Sequence, residues 1–488
     1  MNKHILNELE GNLQEEFSSD QYNTVVKSYR IDPKHNVEAG DPYESFVRQL
    51  ADAPSYNPTS LLEPSEPFSK LIDQVFAEND FECLIKRSSE KVREKNRAEI
   101  KHYLSSVIWN LYKIRQTSKN PYMRISKDNS SYTKGSRYNG ANLGRRISQV
   151  IDHLAIKRLV EKFSGFNGRK GQFSYQTRIK PSDALCKHLD SLPDWLSEDY
   201  SIKEVIILKD GVTKKLVEYD DYEETSESNN TRNILTKLNA INSMSDIRIK
   251  GMNSNFYSFA DKNNASKIVD IRNSFIYAVY HRQTSGEWLY GRMHGPWWQS
   301  VPGKHRTNIV INDNSTVCLD YSAQILNIVS SWEGIQLESD PYNIPHLRHY
   351  ITPKKHRAIT KACVMMMINC ESRAKASQAL SKWINGEEGK GKDAKLQHFD
   401  LINDYLDALE ARYFGLMKHF YMSKGLMLFK QDSDLARDII QVFVNQSICI
   451  LPIHDGFIVE EKHKKLLRVT MHECWTARFG TRIDVKEE

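Results

Sequence analysis

Two aspartates in this 488-residue chain stand where a carboxylate is awkward to place. Asp455 lies in LPIHDGFIVEE, between two apolar runs that read as the arms of a hairpin, and Asp320 closes the apolar run of STVCLDYSAQI. A third segment, KKHRAITKACVMMMINCESRAKASQAL, repeats Arg357, Lys361, Met365 and Asn369 at every fourth residue. On a helix this sets cation, cation, thioether and amide on one face, a poor choice for a hydrophobic seam. Together these residue types suit one chemistry. Two carboxylates from separate strands can hold two divalent ions roughly 3.5–4 Å apart, one activating a 3′-hydroxyl and the other neutralising a triphosphate and its leaving pyrophosphate. Cations one helical turn apart can grip that triphosphate from the opposite side. Mg²⁺ is the expected metal, as two ions, with Mn²⁺ as its substitute. Taken singly the signals are weak, since Asp-Tyr-Ser commonly caps a helix and Arg-x-x-x-Lys commonly lies on a solvated face. Their joint occurrence favours the chemistry.

The elements that must position these groups follow from periodicity. A strand is expected to end at Asp320 with a helix after it, a helix to carry Arg357 to Asn369, and a hairpin to bend at Asp455. Four regions precede or contain them: a polar arm and linker over 1–65, a basic helical region over 66–120, a small module over 121–195, and the catalytic part over 196–488. In the module, NLGRRISQVIDHLAIKRLVEKF predicts a helix, followed by a Gly-rich turn, a strand and another helix. That order resembles a winged helix, with Arg145 and Arg146 at the helix start and Arg169, Lys170 and Arg178 on the wing, where they would meet DNA. EVIILKDGVTKKLVEY predicts a β-hairpin turning at Asp210-Gly211.

Net charge is only +6, yet Lys86 to Arg146 holds 16 Lys/Arg against 4 Asp/Glu. With Tyr103, Trp109, Tyr112, Tyr122, Tyr132 and Tyr138 interleaved, the block suits a nucleic-acid backbone, although charges of a solvated helix would look the same. The seven scattered cysteines form no Cys-x-x-Cys pair, so neither a zinc site nor a disulfide frame is expected. No run is apolar enough to span a bilayer, and the first residues lack a signal-peptide core, so a cytoplasmic location and no membrane partner are expected.

The motifs have a family likeness. LDYSAQILNI resembles motif A of family A DNA polymerases and the related single-subunit RNA polymerases, usually Asp-Tyr-Ser-Gln-Ile-Glu-Leu-Arg-Ile. RAITKACVMMMIN resembles their motif B helix and IHDGF their motif C. GEWLYGRMHGPWWQSVPGKHR is similar to the family's Thr-Gly-Arg segment followed by Gln-Asn-Ile-Pro. The order is right, and the likeness covers about 280–465. It implies an α+β right-hand polymerase, with palm and fingers around an antiparallel palm sheet, preceded by the helical region and the winged-helix-like domain. Asp320, Asp455 and the Tyr321 carbonyl would be the metal ligands. Arg357 and Lys361 would bind the triphosphate, with Lys361 as proton donor to pyrophosphate. Met365, Asn369 and Ile325 would face the incoming nucleotide, and Arg292, Gln299 and His454 the primer–template. DNA template or primer–template and nucleoside triphosphates are the implied partners, with protein partners left open.

Departures matter. Ile325 replaces the motif A glutamate that screens out ribose, Met365 is the RNA polymerase choice, Asn369 replaces the usual tyrosine, and Gly456 follows the motif C aspartate. Little chain is left for a thumb, so the basic helices near 85–117 are candidates for that part. A polymerase acting in replication or priming of a plasmid, phage or mobile element is the leading reading. A single-subunit RNA polymerase or primase, a template-independent terminal transferase, and an inactive DNA-binding protein on a polymerase scaffold are the alternatives.

Overall fold

The computed structural model describes residues 50–487, apart from 51–52, 58–64, 86–87, 128–131, 166–175, 197, 200–202, 221–222, 253, 261–265, 339, 345–346, 348–352 and 386–399. Arg169, Lys170 and nearly all of the 1–65 arm thus lie outside the described residues. The chain is a mixed α+β protein that divides into two compact units, Met1–Glu204 with Asn253–Asn273, and Val205–Met252 with Ser274–Glu488.

In the first unit, α1 (Glu66–Glu78) and α2 (Glu90–Thr117) precede β1 (Met123–Ile125), α3 (Ile147–Ile156), β2 (Val160–Phe163), β3 (Thr177–Pro181) and α4 (Asp183–Asp190). The strands form an antiparallel sheet in the order β1-β3-β2. One core joins helices and sheet. Ile100, Leu104, Val107, Ile108 and Leu111 of α2 pack with Ile147, Val150, Ile151 and Leu154 of α3 and with Ile179 of β3. Each such side chain contributes roughly 1.5–3 kcal/mol by leaving water. A hairpin of Phe256–Ala260 and Ser266–Asp270 completes this unit.

Here the structure corrects the reading of the basic block. All six interleaved aromatics, Tyr103, Trp109, Tyr112, Tyr122, Tyr132 and Tyr138, are buried, so they build the core rather than face a ligand. Trp109, for example, stacks on Tyr112 at 5.3 Å and takes the edge of Phe68 at 6.0 Å. Many of the cations are paired within the unit. Arg97 bonds Glu82, Lys101 bonds Asp73, Arg115 bonds Asp190, Lys127 bonds Asp152, and both Lys134 and Arg146 reach Glu99. Counting charge along the sequence missed these partners because most of the acids lie outside the 86–146 window.

The second unit holds β4 (Ile206–Asp210), α5 (Ser226–Met244), β5 (Ile247–Ile249), β6 (Tyr277–Arg282), β7 (Trp288–His294), β8 (Ile309–Ile311), β9 (Asn314–Tyr321), α6 (Gln324–Ser331), α7 (Pro353–Asn369), α8 (Arg373–Asn385), α9 (Asp400–Arg412), α10 (Gly425–Val444), β10 (Leu451–Ile453), β11 (Gly456–Glu460), α11 (Lys464–Phe479) and β12 (Val485–Glu487). Its main sheet is antiparallel, in the order β10-β11-β9-β8-β5, with β12 pairing the far end of β9. A second sheet runs β4-β6-β7, and α10 packs on β7. No described helix is long and apolar enough to cross a membrane.

The hairpin expected at Asp210-Gly211 is only half formed. β4 pairs in parallel with β6 from Ile206↔Ala278 to Asp210↔Arg282, and the returning arm adds an isolated bridge, Lys209↔Leu216. The turn itself is well made, since the Asp210 carboxylate accepts from Val212 N, Thr213 N and Thr213 Oγ1. Beyond it, Leu216 is exposed, so the second arm has no apolar face to hold it in register.

Candidate active site

Strand register brings the two aspartates together. β9 and β11 pair with Leu319 opposite Phe457 and Asp320 opposite Gly456. One residue further on, the Tyr321 amide donates to the Asp455 carbonyl at 3.4 Å. Asp455, at the bend, therefore lies one residue from the position opposite Asp320, at one end of the main sheet. The bend between β10 and β11 needs only two residues, because Ile453 pairs with Gly456, and His454 takes φ +52° there. Gly456 is glycine for a visible reason. A Cβ at that position would lie 3.0 Å from Leu319 O, a tight approach to the backbone of β9, and 3.4 Å from Asp320 Oδ1, an ordinary contact. Behind the pair, the Tyr321 hydroxyl donates to Met471 O at 2.6 Å and its ring packs on Trp475, which anchors the end of β9 to α11.

A third carboxylate belongs to this neighbourhood and escaped the sequence reading. Asp432 of α10 is 1% exposed. Its Oδ2 accepts from Arg292 at 2.8 Å (Nε) and 2.6 Å (Nη2), and the Gln324 side chain donates to it as well. Burial pushes its carboxyl up to about 6, against the pull of Arg292 and with a further push from the Asp455 charge. A signal was present. Leu428, Asp432, Leu435, Ile439 and Phe443 recur at three- and four-residue steps, which puts the aspartate in the apolar stripe of its helix.

Arg292 is held between Asp432 and the face of Phe429, 4.2 Å from its guanidinium carbon. Gln299 donates from Nε2 to Met293 O at 3.3 Å and Pro452 O at 3.2 Å, and the Trp298 indole also donates to Pro452 O. The two side chains thereby clamp the strand that leads into the His-Asp bend. His454 is exposed beside the bend. Desolvation and then Arg292 lower its basicity, while Asp455 opposes the shift. Its neighbour His294, 6.4 Å away between ring centroids, is lowered to about 4, chiefly by burial.

On α7 the predicted stripe is real as a surface. Arg357, Lys361 and Asn369 are exposed and Met365 is half-buried. Arg357 lies over the Tyr342 ring at 5.2 Å and within 3.6 Å of Asp340. Burial keeps the Tyr342 proton far above its ordinary range, Arg357 opposes this, and the Asp455 charge adds to it. Tyr342 therefore feels both Arg357 of α7 and Asp455. Buried His356 fixes this end of α7, accepting from Ile344 N at 3.1 Å and meeting the Tyr405 hydroxyl of α9 at 2.7 Å. At the other end, Asn369 donates to Met365 O at 2.7 Å and covers Gly425, where a Cβ would overlap Asn369 Oδ1. Ile325, on the first turn of α6, is half-buried next to Gln324.

The cations of the first unit that were expected to face DNA divide differently. Arg145 is exposed at the start of α3. Arg146 donates to Glu99, Asn96 and Leu84 O. Arg178 is 6% exposed and donates to Leu50 O at 2.9 Å. Both latter guanidiniums are engaged inside the unit. Among the described residues, no set of three or more His, Cys, Asp or Glu is placed to hold a metal ion.

No family model and no curated protein matches the chain. Among solved structures it is similar to the POL domain of Pol1 from M. smegmatis, a complex with DNA primer-template and dNTP, at 16% identity and a TM-score of 0.26. The likeness covers 47% of this chain and 48% of that one, so the chain spans about half the length of that structure.

Proposed function

We propose that the chain is a DNA-binding, template-directed nucleotidyltransferase that extends a 3′-hydroxyl from nucleoside triphosphates at Asp320 and Asp455. The observation that carries this reading is the strand pairing that sets Asp320 opposite Gly456, with Asp455 one residue earlier at the bend. The donors fit a hard divalent ion. Two carboxylates and the Tyr321 carbonyl are oxygen ligands, and Mg²⁺ ordinarily takes one or two carboxylates and completes its shell with water and substrate phosphate. Such ions, when bound, would favour ionisation of the attacking hydroxyl and offset charge on the departing pyrophosphate.

The rest falls to the chain's own side chains. Arg357 and Lys361 bind the triphosphate from the exposed face of α7, and Lys361 hands a proton to pyrophosphate. Met365 lies along the incoming base, Ile325 and Asn369 along its sugar. Arg292, held by Asp432, and His454 meet the primer end, while Gln299 steadies the strand behind them. Arg145 offers a phosphate contact in the first unit. Replication or priming of a mobile element, plasmid or phage is the setting that this combination suits.

The test is incorporation by purified protein with Mg²⁺ on primed and unprimed templates, with dNTPs and NTPs in separate reactions. Template-dependent product that Asp320→Asn and Asp455→Asn both abolish is expected. The nucleotide used separates a DNA polymerase from an RNA polymerase or primase, and product indifferent to template sequence would indicate a terminal transferase. No product with either nucleotide set would refute the reading and leave a DNA-binding protein on a polymerase scaffold.

A further inference from the structure

The β4-β6-β7 sheet carries a row of rings. His281, Tyr290 and His294 are half-buried, the register sets Tyr290 opposite buried Tyr280, and Phe429 of α10 meets the Tyr290 ring at 5.6 Å. His281 stacks on Tyr290 at 5.1 Å with 26° between planes, and Tyr290 stacks on His294 at 5.9 Å with 12°. His294 then meets the edge of His454 at 6.4 Å, beside Asp455. The row of rings therefore runs from the β4 side of the sheet to the carboxylate pair.

Local backbone geometry contributes to this row. The β6–β7 register shifts between Ala278 and Tyr280, and Tyr290 adopts φ +82°, a region that bulky residues rarely enter. Gly291 follows at φ +71° and lets the strand close onto Ser433 of α10. The pair of left-handed residues seats Tyr290 between the two imidazoles. Burial lowers the basicity of both histidines, and Lys214 adds to the effect at His281, so both rings are neutral at neutral pH. The cations sit beside them instead. Lys209 pairs in register with His281, and Lys214 donates to His281 Nδ1 at 3.1 Å.

We infer that this row is a stacking track for an unpaired nucleic-acid strand, with His281, Tyr290 and His294 as base platforms and Lys209 and Lys214 on the backbone phosphates. The inference rests on the nucleotidyltransferase reading for its direction, since the track ends at His454 and Asp455. Flat neutral rings flanked by cations are what sequence-tolerant single-strand binding requires.

The experiment is fluorescence anisotropy of the full chain with a labelled oligothymidylate of about twelve nucleotides, in chelator and without nucleotides, over a salt series. Tyr290→Leu and His281→Ala should each weaken binding by about five- to a hundred-fold without changing the salt slope, and Tyr290→Phe should bind as the parent does. Lys214→Ala should instead flatten the salt slope by roughly 0.7. Thermal unfolding of each variant checks that it is folded. Parent-like binding by folded Tyr290→Leu and His281→Ala would overturn the track, as would an equal loss of affinity for a blunt duplex. The two proposals fail separately. Binding lost in Tyr290→Leu while the parent incorporates no nucleotide would refute the polymerase and keep the track. Incorporation abolished by Asp455→Asn with oligothymidylate binding untouched in both track variants would do the reverse.

Discussion

Replacing Asp432 by asparagine should change how stability depends on pH, in a direction the structure fixes. The carboxyl is fully buried and raised from 3.8 to about 6. Between those values the folded state keeps a proton that the unfolded state has lost. The folded state is thus penalised as pH rises through that window, and the penalty is complete above it. A raise of this size corresponds to roughly 3 kcal/mol of lost stability. Asparagine keeps the volume and a carbonyl for Arg292 to donate to, but carries no charge. Urea unfolding followed by tryptophan fluorescence suits the measurement, because Trp288, Trp297, Trp298, Trp332, Trp383 and Trp475 all lie in the second unit. From about pH 3.5 to about pH 7.5 the parent should lose roughly 3 kcal/mol relative to Asp432→Asn. The measurements are made in chelator, so that no divalent ion alters the charge at Asp455. Parallel stability curves for the two proteins would refute the reasoning. They would mean either that Arg292 compensates the buried charge completely or that water reaches it.

Two more perturbations follow from the same geometry. Gly456→Ala places a methyl group 3.0 Å from Leu319 O, so the backbone of β9 must give beside Asp320, and thermal stability should fall together with nucleotide incorporation, the latter by about ten- to a hundred-fold. Unchanged incorporation would show that the Asp320 carboxylate has slack there. In the first unit, burial pushes Glu99 upward, but hydrogen bonds from Lys134, Tyr103 and Arg146 outweigh it and hold the carboxyl at about 2. A depressed carboxylate stabilises the fold above its ordinary 4.5, and that stability is lost as pH falls towards 2. Glu99→Gln should therefore flatten the acid side of the stability curve, which acid titration followed by circular dichroism would read; an unchanged acid transition would count against the network.

Local pattern was enough to single out the candidate residues. Asp320 at the end of an alternating apolar run, Asp455 at a two-residue bend, and the four-residue spacing of Arg357, Lys361, Met365 and Asn369 are all short-range features, set by the strand and helix periods. The same periods placed β9, α6, α7 and the β10–β11 hairpin before any contact was known. What periodicity could not supply was partnership. Periodicity puts Asp432, unlike Asp434 and Asp438, in the apolar stripe of α10, but only packing against β7 supplies Arg292 as its partner. Tyr103 to Tyr138 looked like a ligand surface because sequence gives ring type but not the face it takes. β4 left its expected hairpin for a parallel partner just over seventy residues away, because β6 offers it a buried face and the residues after Thr213 do not. Element type and candidate chemistry were therefore written in the chain. Which charges are buried, which strands pair and which rings meet were decided by tertiary structure, since burial and long-range pairing depend on residues far apart in sequence.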